Sequence, residues 1–429
     1  MALHNRILLG LVTGAVLGVA SNLTLGLPPG LAAFITNVTE PIGNIWLNAL
    51  IMVVVPLVIS TLSLGVAGLG SLSRVGRIGG VTLLTFLLLM ATAGTLGLVL
   101  VNLIEPGSRL DPEIRTGLME TYRNQSDQAM GIAQGGVGVD LLVNIVPRNP
   151  VRAAADFNML GIIFFSLMVG VALTKVPQET ARPLLAVLDG VATVAITIIN
   201  MVMTVAPYAV ACLIFSVTAR FGWDLLLSLA SYVVTVVVGL TLFAAVVYPV
   251  VLALVARVSP REFFRKARIV MVTAFSTSSS NATLPTTLRV AEEELHVPNQ
   301  VAAFVVPLGA TINMNGTALF EGVTVLFVAQ VFGVELPLSQ QMVVILMSVV
   351  VAVGTAGVPG GSIPLLMIVL AMVGAPMEGI AIVIGVDRIL DMCRTTVNVT
   401  GDLVTTTVVN RFVGAMPPAP EAVSGGART

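Results

Sequence analysis

Charge is the scarcest thing in this chain. Asp, Glu, Lys and Arg make up 10% of its 429 residues, against about a quarter in an ordinary soluble domain. The shortage excludes a soluble globular fold, whose many helices would need charged outer faces. Acidic and basic residues nearly cancel, at a net charge of −1, so no global field draws in nucleic acid or anionic lipid. Histidine is confined to His4 and His296, and lysine to Lys175 and Lys266, none of them in a spanning core. A hydrolase working inside the membrane would therefore lack a base for its nucleophile. The cysteines, Cys212 and Cys393, lie far apart, form no CxxC pair and carry no information on redox compartment.

What remains is apolar. Hydrophobic residues make up 56% of the chain, and the mean hydropathy is +1.00. Runs near the length that crosses about 30 Å of hydrocarbon recur, and predict spanning helices over 7–25, 45–69, 79–104, 160–175, 184–217 and 225–255. The longer ones are expected to tilt. The N-terminus lacks a small-residue cleavage site and reads as a first spanning helix rather than a signal peptide. The stretch 105–157 is the long polar connection, a loop with short helical pieces, and the tail 417–429 has a disordered composition. Arginine and lysine set the orientation. The connection 26–44 has none, whereas Arg74, Arg77, Lys175, Arg182 and the cluster Arg257, Arg261, Arg265, Lys266 and Arg268 mark later turns. Placing those turns in the cytoplasm puts both termini inside; the long loop, which holds several arginines, escapes the rule.

After Arg268 the pattern changes. The segment 270–288 is apolar at its edges and polar at its middle, Ser276-Thr277-Ser278-Ser279-Ser280-Asn281, with Pro285 beyond. The run 301–332 is broken by Asn313-Met314-Asn315-Gly316-Thr317. The run 342–373 is broken by Gly354-Thr355-Ala356-Gly357-Val358-Pro359-Gly360-Gly361. The order suggests a repeat of two hairpins that enter and leave on one side, each followed by a helix. Non-helical backbone at membrane depth must be buried or line a wet cavity, and paired broken helices point to a transporter's site. The alternative is that Gly and Ser only permit close helix packing; three such clusters in succession, with Asn and Pro, favour function.

The final helix, 380–411, carries Asp387, Asp391, Arg394, Asn398 and Asp402 at spacings of four, three, four and four. At about 100° per residue these share one stripe. Charge at mid-membrane is expensive, so the stripe faces an interior and marks a ligand or ion path. A self-satisfied Asp–Arg network is the competing reading, which the surplus of acids along this face fits poorly. Arg394 offers a fork of donors suited to a carboxylate, and Asp391, one turn away, suits an ammonium. Asp402 and Asn398, with carbonyls freed at Asn313 and Gly309, supply hard oxygens for a small cation. Together these describe an amino acid carried with a cation.

At these residues the sequence resembles the glutamate transporter family, the dicarboxylate/amino acid:cation symporters. The marks are Ser278-Ser279-Ser280, Gly-Ala-Thr-Ile-Asn-Met-Asn-Gly-Thr at 309–317, Gly-Thr-Ala-Gly-Val-Pro-Gly at 354–360 and Asp-Met-Cys-Arg-Thr-Thr-Val-Asn-Val-Thr-Gly-Asp at 391–402. The resemblance implies an all-α integral membrane fold of eight transmembrane helices and two re-entrant hairpins in inverted repeats, working as an elevator in a homotrimer in the cell membrane. It implies a scaffold of 1–77 and 106–220 and a transport domain of 78–105 and 221–416. By matching positions, substrate meets Ser278, Ser280, Thr317, Val358, Gly360, Asp391, Arg394, Thr395 and Asn398. Arg394 takes the side-chain carboxylate and Asp391 the amino group, which implies L-aspartate or L-glutamate. A C4-dicarboxylate or a neutral amino acid is the alternative cargo.

The resemblance also implies coupling ions, Na+ or H+, and no organic cofactor. One sodium site uses carbonyls of Gly309, Asn313 and Asn398 with the Asp402 carboxylate. A second uses carbonyls near Thr311, Ala352, Val353 and Thr355. A third departs from the family: its usual Asp is Asn315, and the helix that normally supplies hydroxyls offers Phe86, Leu89 and Met90. That site is expected to be lost. Glu321 sits where proton-coupled relatives keep a proton-carrying glutamate; the competing reading is a glutamate in a wet cavity or beside a basic neighbour. The basic partner that the family gives Asp391 is absent from both its usual places, which hold Ser278 and Met392. An intramembrane aspartyl hydrolase fails because Arg394 would keep Asp387 and Asp391 both ionised. A pure ion channel is disfavoured by two gate-like hairpins.

Overall fold

Backbone N–H and C=O groups cannot be left bare in hydrocarbon, and a helix satisfies them internally. Every regular element among the described residues is accordingly helical. The computed structural model describes residues 3–70, 77–108, 146–156, 159–353, 355, 357, 362–375 and 379–413. Among the described residues, six helical stretches are long and apolar enough to cross a membrane. Leu9, Val16, Leu23, Leu84 and Leu103, each more than half exposed, are the outward apolar surface that lipid would cover.

The first helix, α1 (Leu3–Leu25), is followed by α2 (Pro29–Phe34), a π-helical turn, α3 (Glu40–Ile51) and α4 (Val54–Gly70). The segment 26–44, expected as a connection, is thus mostly helix. Proline at the first turn of α2 and of α3 starts each one without losing a needed donor. Next come α5 (Arg77–Ile104), the short α6 (Pro150–Ala155), capped by the Asn149 side chain, α7 (Met159–Lys175), α8 (Gln178–Met203) and α9 (Ala206–Leu242). The expected single span over 184–217 is therefore two elements, broken at Thr204 and Val205. The expected boundary near 217–225 is instead a kink inside α9 at Gly222, whose φ of 70° and ψ of −149° suit glycine alone. A Cβ there would also come within 2.9 Å of Asn22 Oδ1. Of the 105–157 connection, 109–145 and 157–158 lie outside the described residues, as does the tail.

Small residues decide the first packing contact. Gly10, Gly14 and Gly18, one per turn, bring α1 against the start of α9; a Cβ on Gly14 would sit 3.1 Å from Ala211 Cα. Asn22 donates to the Ala219 carbonyl at 3.0 Å. Beside this pair, α4 packs against α7 and α8, joined by Ser63 Oγ donating to Ser166 O.

The remaining helices surround a second centre. After α9 the chain runs through π-helical turns to Ala256. It then forms α10 (Pro260–Thr277), α11 (Ser280–Arg289), α12 (Asn299–Ile312), α13 (Asn315–Val331), α14 (Leu338–Val353), α15 (Ile363–Met372) and α16 (Ile380–Val413). Every residue of α13 except Gln330 is buried, enclosed by α5, α14, α16 and α9. Of the apolar residues between the charges of α16, Leu390, Val397 and Val399 are buried and Ile389 is exposed.

Candidate functional site

Three chain breaks meet the charged stripe of α16. The first ends α10, where Ser278 adopts a left-handed conformation (φ 50°, ψ 35°) and Ser279 caps α11 by accepting from Ala282 N. The second separates α12 from α13, with Asn313 and Met314 outside helical geometry. The third follows α14; there Thr355 and Gly357 are described, while Gly354, Ala356, Val358, Gly360 and their neighbours lie outside the described residues. Ser279 Oγ donates to the Gly357 carbonyl at 2.7 Å, and Asn281 N donates to the same oxygen at 3.3 Å. The two tips therefore touch.

The stripe fastens onto the second break turn by turn. Asn398 Oδ1 accepts from Gly316 N at 2.7 Å, and its Nδ2 donates to Thr317 Oγ1 at 3.2 Å. Gly316 is required by close approach, because a Cβ would lie 2.7 Å from the Arg394 carbonyl. One turn further, Asp402 Oδ1 accepts from Asn313 Nδ2 at 2.9 Å. Gly309 faces the same carboxylate, and a Cβ on it would collide with Asp402 Oδ1 and stand 2.7 Å from Cγ. Asn313 Oδ1 is buried without a hydrogen-bond partner among the described residues. An acid, an unpaired amide oxygen and a side-chain-free glycine at a helix break form a cradle of hard oxygen that fits a small cation. No group of three or more His, Cys, Asp or Glu among the described residues is arranged to hold a metal ion.

Six of the predicted substrate residues, Ser278, Ser280, Thr317, Asp391, Thr395 and Asn398, line one polar cavity. Met314, Thr355, Gly357 and Ser362 complete it. The hydroxyls of Ser278 and Ser362 are buried and have no partner among the described residues, so the lining has polar capacity to spare. The cavity measures about 10 Å³, room for about one water molecule. An amino acid, the expected cargo, does not fit the cavity as it stands.

Arg394, predicted to meet substrate, is 1% exposed and is not among the residues that line this cavity; it reaches the lining through Asp391. Its Nη2 donates to Asp387 Oδ1 at 2.9 Å and Asp391 Oδ1 at 3.0 Å, while Nε and Nη1 have no partner among the described residues. The guanidinium carbon lies 3.8 Å from the centre of the Phe320 ring, a cation–π distance. The Asp–Arg network weighed as an alternative thus exists, but it engages one nitrogen of the three. Asp391 also has a second cation: Arg388 Nη1 is 3.5 Å from Asp391 Oδ2. This cation lies at neither of the family's two usual places; its only signal in the sequence is a spacing of three residues on one helix.

The apolar residues at the place of the third ion site, which is expected to be lost, belong to the hydrophobic core. Phe86 and Met90 are fully buried and Leu89 nearly so. Asn315 Nδ2 donates to Tyr248 Oη at 3.1 Å, and Tyr248 donates to the Val397 carbonyl at 2.8 Å. Tyr248, also unremarked in the sequence, engages only the donor end of the Asn315 amide, and Asn315 Oδ1 is buried without a hydrogen-bond partner among the described residues. Thr311 is exposed; Ala352, Val353 and Thr355 sit at the end of α14, where Thr355 N donates to Ala352 O. Glu321 is fully buried one turn beyond Thr317, and neither carboxyl oxygen has a partner among the described residues. The basic neighbour of the competing reading is Arg394, whose charge reaches this carboxyl without a hydrogen bond to it.

These features define a multi-pass helical membrane protein whose buried ionic groups gather at broken helices. The sodium:dicarboxylate symporter family model matches residues 3–412, and the chain belongs to that family. It is 33% identical to the proton/sodium-glutamate symport protein of Bacillus subtilis, over 97% of this chain and 94% of the relative. It is 34% identical to the proton/glutamate-aspartate symporter of Escherichia coli, over 88% and 86%. Excitatory amino acid transporter 3 of Mus musculus is 30% identical over 86% of this chain and 78% of the relative.

Proposed function

We propose that this chain takes up L-aspartate or L-glutamate by cation symport. The observation that carries the reading is the polar cavity between two touching hairpin tips, with Asp391 in its wall, unpartnered hydroxyls of Ser278 and Ser362, and Arg394, which has spare donors, paired with that Asp391. In this reading the hairpin tips part to admit substrate. Arg394 turns its free nitrogens onto the substrate's side-chain carboxylate, and Asp391 holds the ammonium. Ser278, Ser280, Thr317, Thr395, Asn398, Val358 and Gly360 complete the contacts. The relatives' names, which pair glutamate and aspartate with sodium and protons, support this cargo.

Sodium is assigned to Gly309, Asn313, Asn398 and Asp402, and to the carbonyls of Thr311, Ala352, Val353 and Thr355. The place of the third sodium, at Asn315, Phe86, Leu89 and Met90, is assigned no ion. Glu321 is the proposed proton carrier, since an ionised carboxylate without a partner is costly at that depth. Residues 1–77 and 106–220 form the proposed scaffold. Residues 78–105 and 221–416 form the moving domain of an elevator with eight transmembrane helices and two re-entrant hairpins. The assembly is a homotrimer in the cell membrane with both termini cytoplasmic. The test is counterflow of labelled aspartate in liposomes loaded with unlabelled aspartate. Saturable exchange is expected; flux that grows linearly with concentration would rule out a carrier.

A further inference from the structure

A second cavity lies away from the polar site. It is an apolar groove of about 520 Å³ between α10, the stretch 237–249 and α16. Phe264, Met271 and Phe275 form its α10 wall, Ala244 and Pro249 stand opposite, and Cys393 lies on its floor. From Val237 to Pro249 the groove follows about 18 Å of helix at about 1.5 Å per residue. That is close to the roughly 15 Å of hydrocarbon in one bilayer leaflet.

Charge on α10 is sorted along its length. Arg261, Arg265 and Arg268 are exposed toward its N-terminal end, and Ile269, Val272 and Phe275 are exposed toward its tip. At about 100° per residue Arg261 and Arg268 fall on the same strip as Phe264 and Phe275. A third cavity, of about 510 Å³, opens beside this end of α10. Its lining includes four cations, Arg265, Lys266, Arg268 and Arg289, against two acids, Glu293 and Glu294. Lys266 is paired with Glu262 at 2.9 Å, so three arginines stand against two acids and the balance is a single positive charge. Arg268 lines that cavity and stands within one turn of both Phe264 and Met271 of the groove. The two cavities share no lining residue, but Arg268 stands between them on α10. A cationic pocket beside an apolar channel of leaflet depth has the chemistry of a phospholipid, headgroup on one and chain in the other.

We propose that this pair of cavities is a binding site for one anionic phospholipid, whose headgroup phosphate is taken by Arg268 with Arg265 and whose acyl chain lies in the groove against Met271 and Cys393. The site is separate from the amino acid cavity, and the proposal does not rest on the symport reading. It has a mechanical consequence. Cys393 adjoins Arg394 in sequence, so the chain in the groove bears on the back of the helix that carries the substrate residues.

Cys393 is free and half-buried, which makes it a reporter. In a Cys212→Ser background, maleimide labelling of Cys393 is measured in phosphatidylcholine bilayers with and without phosphatidylglycerol. Phosphatidylglycerol is expected to slow labelling. Arg268→Gln should weaken that protection about fivefold, at about 1 kcal/mol per basic residue. Ala244→Trp, which fills the groove without touching the arginines, should reduce retention of phosphatidylglycerol by the purified protein in native mass spectrometry. Equal protection by both lipids, or protection unchanged by Arg268→Gln, would overturn the proposal. So would a Cys393 already shielded in lipid-free detergent, since the groove would then be covered by a second copy of the chain.

Discussion

Arg388 and Asp391, one turn apart on α16, form an ion pair of 3.5 Å at the edge of the polar cavity, on the oxygen of Asp391 that Arg394 leaves untouched. Asp391 is thus clamped between two arginines of its own helix. Arg388 supplies from within α16 the basic partner that the sequence had lacked at Ser278 and Met392. It is partly exposed, at 17% of its side chain, so the pair is worth about 1 kcal/mol at most. Arg388→Ala is therefore expected to weaken aspartate binding about fivefold by letting the Asp391 carboxylate swing, with little change in melting temperature. Calorimetric titration of the purified variant measures it. An unchanged dissociation constant would show that Asp391 needs no second cation.

Arg394→Cys tests the carboxylate site. Losing a charged hydrogen bond costs about 1.5–3 kcal/mol, so aspartate affinity should fall about tenfold to a hundredfold. The fold should suffer too, because Asp387 and Asp391 lose their shared partner, and breaking a buried pair costs about 3–5 kcal/mol. Arg394→Lys separates the two effects. A lysine keeps the charge between the aspartates but lacks the planar fork, so it should restore much of the melting temperature and little of the binding. Wild-type affinity in the lysine variant would remove the guanidinium from substrate recognition.

The contrast between these two arginines shows what the sequence could reveal. The stripe of Asp387, Asp391, Arg394, Asn398 and Asp402 was legible because ionised residues inside an apolar run stand out and helical spacing places them on one face. The breaks at Ser278 and Asn313 were legible for a similar reason, since polar clusters interrupt runs otherwise long enough to span. Helix ends were less so. Hydropathy does not fall at Thr204 and Val205, and two apolar helices that meet without a polar turn read as one. The segment 26–44, with its prolines, reads as a loop, although Pro29 and Pro41 stand in the first turns of helices. Arg388 and Tyr248 were missed because their roles depend on which way a side chain leans and on contacts remote in sequence. Tyr248 finds Asn315 across 67 residues.

Gly309→Ala probes the cation cradle without altering any proposed ligand atom. The added methyl would collide with the Asp402 carboxylate, and overpacking of this kind costs about 1–3 kcal/mol. Displacement of that carboxylate should raise the sodium concentration needed for half-maximal aspartate binding about tenfold. Affinity measured across a sodium titration gives the answer. If the variant keeps the wild-type sodium dependence, Asp402 is structural and the ion sits elsewhere.

Glu321→Gln addresses the proton. The amide matches the carboxyl in shape, so α13 should keep its packing, but it cannot gain or lose a proton in the transport cycle. Protons moving inward with substrate mean that lowering the external pH at fixed sodium should raise uptake by the wild type. The same step should leave the glutamine variant unchanged, while its sodium-driven uptake or exchange persists. Residual exchange matters, because it shows that the variant still binds aspartate and that only the coupling was removed. Liposomes with sodium and proton gradients imposed separately give both readings in one preparation. A glutamine variant that still answers to the proton gradient would shift the proton to another group, and of the other buried acids Asp387 and Asp391 are already committed to Arg394 and Asp402 to Asn313. Glu321 alone among the acids of these helices has both oxygens buried and unpartnered among the described residues, which is why the proton is assigned there.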